Sequence, residues 1–169
     1  AALTSLGQML DLKKPPMLIE AYDISNMGAN SSVAAMVVFK DGKPCTKKYR
    51  NFRIKNVDIQ DDYASMREVI RRRFTRAITE QNAVAGGELS AEDAKFLPLP
   101  DVVFADGGEN HRNAVKQVLD ELGIDIPVFG IVKDDNHRTR AIAAENGEIK
   151  PDKRSEAFML LISIQDEMH

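Results

Sequence analysis

The segment Val102-Val103-Phe104-Ala105-Asp106-Gly107-Gly108 constrains this chain more than any other. Its unbroken apolar run reads as a strand buried inside an α/β sheet, where both faces are covered. That strand ends in a carboxylate, and two glycines follow at once. A similar run, Leu18-Ile19-Glu20-Ala21-Tyr22-Asp23-Ile24-Ser25, carries Asp23 near its end. Two Asp residues on neighbouring strands suit a divalent cation held against a phosphate. Hard cations take oxygen ligands, and strands fix those ligands better than loops.

The remaining elements follow from periodicity and turn chemistry. Leu3, Leu6, Met9, Leu10 and Leu12 predict a short amphipathic helix over Thr4 to Leu12, stopped by Lys13-Lys14-Pro15-Pro16. A first strand covers Met17 to Ser25, a turn Asn26 to Ser32, and a second strand Val33 to Lys40. Asp41-Gly42 is a hairpin signal, and a third strand covers Lys43 to Ile54. Met66, Ile70, Phe74, Ala77 and Ile78 stripe one face of a helix over Asp61 to Glu80. Gln81 to Phe96 reads as a loop or a loosely attached insertion, with Ser90 able to cap one turn. A strand at Asp101 to Ala105, a helix at Asn110 to Leu122 closed by Gly123, and a strand at Pro127 to Val132 form a parallel βαβ unit. A small hairpin turning at Asn146-Gly147 and a helix from Ser155 complete the chain. The expected fold is α/β and ribonuclease H-like. It has a mixed five-stranded sheet, three antiparallel strands and then the parallel unit, with flanking helices. Residues 1–16 are expected to be a lead-in helix and linker, and 17–169 the domain proper.

Composition narrows the class. A length of 169 residues suits one domain, and 43% apolar with 29% charged residues fits a globular chain. No apolar run approaches the roughly 18 residues of a membrane span, and no secretory signal opens the chain. The lone Cys45 cannot pair internally, so a reducing cytoplasm is expected. Net charge is only −3, yet basic residues cluster. Lys47, Lys48, Arg50, Arg53 and Lys55 form one stretch, and Arg67, Arg71, Arg72, Arg73 and Arg76 another. The loop Lys133 to Arg140 adds a third. Lys48, Arg50, Arg53, Arg67, Arg71, Arg72, Lys133, His137 and Arg138 are the candidates for holding a nucleic-acid backbone. A solvated face is the plain alternative.

Three histidines are present. His111 follows the glycines, His137 lies in the charged loop, and His169 ends the last helix. Imidazole binds metals and carries protons near neutral pH, although a terminal histidine is most often a surface residue. Asp61 and Asp62 open the long helix, where carboxylates cap free amides and meet the helix dipole. One of them could instead face the metal crevice. A Mg²⁺ or Mn²⁺ ion between Asp23 and Asp106 would neutralise a phosphodiester and activate water.

Four motifs, in order, resemble the C-terminal endonuclease half of the UvrC family of excision nucleases. They are Ile19-Glu20-Ala21-Tyr22-Asp23-Ile24-Ser25, Asp61-Asp62-Tyr63-Ala64-Ser65-Met66-Arg67, Leu99-Pro100-Asp101 through Asp106-Gly107-Gly108, and Gln165-Asp166-Glu167-Met168-His169. The resemblance covers almost the whole chain. It implies an Asp-Asp-His set similar to that of Argonaute, with Asp23, Asp106 and His169 as metal ligands and Asp62 as a further acid needed for incision. It implies a 5′ cut in damaged double-stranded DNA during nucleotide excision repair, with UvrB as partner and UvrA upstream. It also implies an excised domain, expected to be a monomer. Many members read Lys-Gly-Gln after the glycines, where this chain has Glu109-Asn110-His111, leaving that phosphate contact to His111 or Arg112. The rival readings are another ribonuclease H-like nuclease, a non-catalytic DNA-binding or docking module, and a phosphate-binding domain using Gly107-Gly108.

Overall fold

Residues 1–28, 31–55 and 61–169 are described in the computed structural model. Leu18–Asn26 forms β1 and Ser31–Lys40 forms β2, paired antiparallel from Leu18↔Lys40 to Asn26↔Ser32. The pairing runs into the expected turn from both sides, and residues 29–30 of that turn lie outside the described residues. The expected hairpin follows β2, with both Asp41 and Gly42 at positive φ.

The expected third strand is two strands. β3 is only Lys43–Pro44, and β4 is Arg50–Lys55. Both pair with β2, as Phe39↔Pro44 and Met36↔Arg50. Between them the chain leaves the ladder in a 3₁₀ turn at Thr46–Lys48. Pro44 has no N–H to continue a ladder, which accounts for the break.

Val102–Asp106 (β5) pairs parallel with β1, and Val128–Lys133 (β6) pairs parallel with β5. Thr139–Ala144 (β7) and Gly147–Ile149 (β8) form the expected second hairpin. This hairpin is not separate, because β7 pairs antiparallel with β6. Among the described residues the sheet therefore has eight strands rather than five, in the order β3-β2-β1-β5-β6-β7-β8, with β4 also on β2. No helix is long and apolar enough to cross a membrane, among the described residues.

Helices cover both faces. Asp62–Ala85 (α2) and Glu109–Glu121 (α3) pack on one core with Tyr22, Met36, Val103 and Ala105. Ala2–Met9 (α1) and Glu156–Met168 (α4) cover the other, with Ile19, Ala21, Phe104 and Ile131. Strand residues alternate between the two cores, as period two demands. Leu6 of α1 is wholly buried, so the lead-in helix is part of this second core.

The segment after α2 is not loose. The Glu80 carboxylate accepts from the amides of Lys95 (2.7 Å) and Phe96 (2.6 Å). Arg73 donates to the Phe96 carbonyl at 3.0 Å. Arg73 itself is buried and pairs with Glu20 of β1, with N–H···O distances of 2.9 and 2.6 Å. Tyr22 donates to the same Glu20 at 2.5 Å. So Arg73, counted among the basic cluster, is a core residue. Removing one partner of a buried pair strands the other charge, at about 3–5 kcal/mol. Arg73→Ala is therefore expected to lose that much in urea unfolding, while Glu20→Met/Arg73→Met recovers most of it. A loss under about 1 kcal/mol for the single change would mean the pair is not a structural tie.

Candidate metal centre

The parallel register places the two carboxylates. β1 and β5 pair from Ile19↔Val102 to Tyr22↔Ala105, and the next residues are Asp23 and Asp106. Ile19, Ala21, Val102 and Phe104 belong to the α1/α4 core. Two residues further along each strand, Asp23 and Asp106 face the same side. Asp106 is the last residue of β5, and Asp23 lies in β1 just past its pairing with β5, toward the C-terminal side of the sheet where ligand crevices form.

The third group arrives on α4. Ser155 caps this helix, its hydroxyl accepting from the Phe158 amide at 3.1 Å. Ala157, Leu160, Leu161, Ile164 and Met168 hold it on the sheet. His169 follows its last residue, with its amide donating to the Asp166 carbonyl at 3.2 Å. The imidazole lies between the two acids. Nδ1 is 3.7 Å from Asp23 Oδ2, and Nε2 is 3.6 Å from Asp106 Oδ2. One ligand atom from each of the three falls within 4.8 Å of the others. The Asp106 side chain is 4% exposed, Asp23 13% and His169 47%, so the acids form the floor and the histidine the rim.

Electrostatics in the cluster favour a cation. Asp23 is pushed up to about 7, first by burial and then by the charge and hydrogen bond of Asp106. Asp106 Oδ2 accepts from Lys133 Nζ at 3.0 Å, while Asp106 Oδ1 is buried with no partner among the described residues. A partnerless buried carboxylate oxygen normally needs an explanation, and an ion is one. Two carboxylates and an imidazole are a donor set that suits a divalent cation.

Gly107 and Gly130 shape the turn that follows Asp106. Gly107 has φ +151°, and a Cβ there would sit 2.2 Å from His111 Nδ1. A Cβ on Gly130 would meet the Gly107 carbonyl at 2.4 Å. The His111 ring thus lies directly on this turn, edge-on to Tyr63 with centroids 4.8 Å apart. Burial lowers the His111 pKa, against the opposing charges of Asp62 and Asp106. Asp62 is therefore near the cluster but outside the three-ligand set. Its Oδ1 is also buried without a partner among the described residues. Asp61, rather than Asp62, is the helix cap, accepting from the Ala64 amide at 3.0 Å.

The basic candidates divide. Lys133 is committed to Asp106. Arg71 pairs with Glu121, and Arg72 donates to the Arg53 carbonyl (2.8 Å) and Glu68 (3.5 Å). Arg50 donates to the carbonyls of Lys47 (3.1 Å) and Tyr49 (2.8 Å). Arg53, His137 and Arg138 are exposed, and Lys48 and Arg67 are half-buried. Arg112 does not fill the place of the missing lysine. It is buried, with Nε donating to the Val128 carbonyl at 2.8 Å. His111 alone of that pair borders the site. Sequence reasoning missed the Lys133–Asp106 pair, although Lys133 lies two residues beyond Ile131, which faces the α4 side.

A family model of the UvrC RNase H endonuclease domain matches residues 7–169. UvrABC system protein C of Thermoanaerobacter pseudethanolicus is 55% identical over 151 residues, 89% of this chain and 25% of that protein. Its counterpart in Caldanaerobacter subterraneus subsp. tengcongensis is 47% identical over 168 residues, 99% of this chain and 27% of that protein. The chain thus spans about a quarter of the length of the curated relatives it matches. Among solved structures, Ciona intestinalis Endonuclease V bound to inosine-containing DNA matches with TM-score 0.44 and 15% identity, over 70% of this chain and 46% of that one. A. aeolicus Argonaute matches with TM-score 0.44 and 17% identity, over 84% of this chain and 20% of that one. With the family model spanning nearly every residue and relatives near half identical along the chain, this protein belongs to the UvrC RNase H endonuclease domain family.

Proposed function

We propose that this chain hydrolyses a phosphodiester of damaged double-stranded DNA, making the 5′ incision of nucleotide excision repair. In this reading it acts as a monomer, in the cytoplasm, with UvrB as partner and UvrA acting upstream. The convergence of Asp23, Asp106 and His169 at the ends of β1, β5 and α4 is the observation that carries it.

In this reading Asp23, Asp106 and His169 hold a Mg²⁺ or Mn²⁺ ion. The ion would neutralise phosphate charge and lower the pKa of water. Asp106 would offer a carboxylate oxygen to that ion while Lys133 stays paired with its Oδ2. Lys133 Nζ then stands beside the phosphate as a charge partner for its oxygens. His111, its pKa lowered by burial, borders the same space, and Asp62 acts on its ring electrostatically. Lys48, Arg50, Arg53, Arg67, Arg71, Arg72, His137 and Arg138 would hold the backbone. Such contacts position DNA without reading sequence, which suits a target defined by damage.

Two outcomes follow. Asp106→Asn is expected to lower Mn²⁺-dependent nicking of supercoiled plasmid about a thousandfold, since several kcal/mol of charge stabilisation disappear. DNA binding that persists without metal, with nicking absent in both forms even after UvrB is loaded on damaged DNA, would favour the docking-module reading.

The second concerns pH. The Asp23 carboxyl ionises near 3.8 when unfolded and near 7 in the metal-free fold. Below pH 4 both states keep the proton. Between about 4 and 7 only the folded state keeps it, so this contribution to stability is lost as pH rises through 7. Asp23→Asn should flatten that slope and stabilise the metal-free protein by roughly 1–2 kcal/mol at pH 8, part of the shift being shared with Asp106. Urea unfolding at pH 4.5 and 8 measures this, and an unchanged slope in the variant would rule out Asp23 as its source.

A further inference from the structure

We propose that Gln165 is a positioning residue that sets His169 in the metal site by pegging the last turn of α4 to the β6–β7 turn. The inference rests on the metal-site reading above. His169 has one backbone bond beyond the helix, to Asp166, so its imidazole goes where the last turn of α4 goes. Gln165 stands one turn earlier, at the i, i+4 spacing that shares a helix face.

Gln165 is 6% exposed, the one buried polar side chain of α4. Both ends of its carboxamide are used. Nε2 donates to the His137 carbonyl at 2.7 Å. Oε1 accepts from the Thr139 hydroxyl, itself buried at the start of β7. The orientation is fixed by chemistry, because the His137 carbonyl can only accept. Its target is stiff. The Asp134 carboxylate accepts from the amides of Asn136 (2.8 Å) and Arg138 (3.0 Å), and His137 holds a left-handed φ of +61°. The Asp134 amide donates across this turn to the Arg138 carbonyl at 2.8 Å. The turn directly follows Lys133, the residue paired with Asp106. Gln165 therefore references the helix end to the strand that carries the site's own cation.

A second tie holds the opposite side of the same turn. Tyr49 donates to Glu167 at 2.6 Å. Tyr49 reaches there because the chain leaves the ladder between β3 and β4. This bond is exposed, whereas the Gln165 bond to Thr139 is buried and that to His137 part-buried, so Gln165 is the stronger constraint.

The test reads metal binding directly, without catalysis. Mn²⁺ affinity of the full chain is measured by calorimetry, well below each variant's unfolding temperature. His169→Ala is run first and must weaken Mn²⁺ binding; no change there would remove the ligand role and with it both readings. Gln165→Met keeps the volume and deletes both polar bonds. Partners that orient a metal ligand are worth about 10–100-fold in metal affinity, and a loss of that size is expected. In the His169→Ala background the same change should add less than about twofold, because the residue acts only through the imidazole. Thr139→Val, nearly isosteric, is a second variant that should show a smaller loss of the same kind. A lowered unfolding temperature with Mn²⁺ affinity unchanged, in either variant, would make Gln165 merely structural and overturn the proposal. So would an equal loss with and without His169.

Discussion

The parallel pairing of β1 with β5 is the constraint on which the rest depends. Ile19↔Val102 through Tyr22↔Ala105 puts Asp23 and Asp106 next to each other, on the same face and at the same end of the sheet. A slip of one residue would turn one carboxylate into the α2/α3 core. The register is secured from both sides. Ile19, Ala21, Val102 and Phe104 lie in one core, and Tyr22, Val103 and Ala105 in the other. Glu20 adds a polar lock, since only its observed facing lets it reach Arg73 on α2. The Leu18 amide donates to the Asp101 carboxylate at 2.9 Å, fixing the strands at their entry.

This pairing carries an electrostatic burden. Burial, and after it the charge of the neighbouring Asp106, raises Asp23 to about 7. Lys133 relieves part of that repulsion from the third strand of the parallel unit. A site that tolerates its own charges poorly without a cation binds one more readily, because the ion relieves what the fold maintains. The nonpolar interior on both sheet faces supplies the stability against which this local cost is held.

How much of this was legible follows the range of each interaction. Local signals were read well. Asp41-Gly42 turns the hairpin, Ser90 and Ser155 cap their turns, and the βαβ unit ends its strand at Asp106. Asp23 and Asp106 could be proposed as a pair because periodicity placed each at a strand end. His169 could not be read from pattern alone. It depends on where α4 lies over the sheet, and only resemblance to a family pointed to it. Long-range ties were invisible for the same reason. Helix spacing puts Arg73, unlike Arg72, on the face of Met66, Ile70 and Ala77, but gives no sign of its partner, and Glu20 is a residue of a distant strand. Glu80 and Phe96 likewise give no local sign that they staple the segment read as loose. The additional strands were missed because β3 is two residues long and β7 and β8 read as an isolated hairpin.

The site mixes two kinds of support. Asp23 and Asp106 sit on strands hydrogen-bonded on both sides and covered on both faces, so their backbones have little freedom. His169 sits beyond the end of a helix, where backbone hydrogen bonds run out. Precision on the third ligand must therefore come from side chains that tie the last turn down, and the turn has them on both flanks. Glu167 meets Tyr49 from the β3–β4 excursion, and Gln165 meets the β6–β7 turn. Both segments belong to the basic stretches, with Lys48 and Arg50 beside Tyr49, and Arg138 beside His137. The segments that carry these basic side chains are thus also the ones that hold the last turn of α4. Displacement of either segment would therefore act directly on the position of His169.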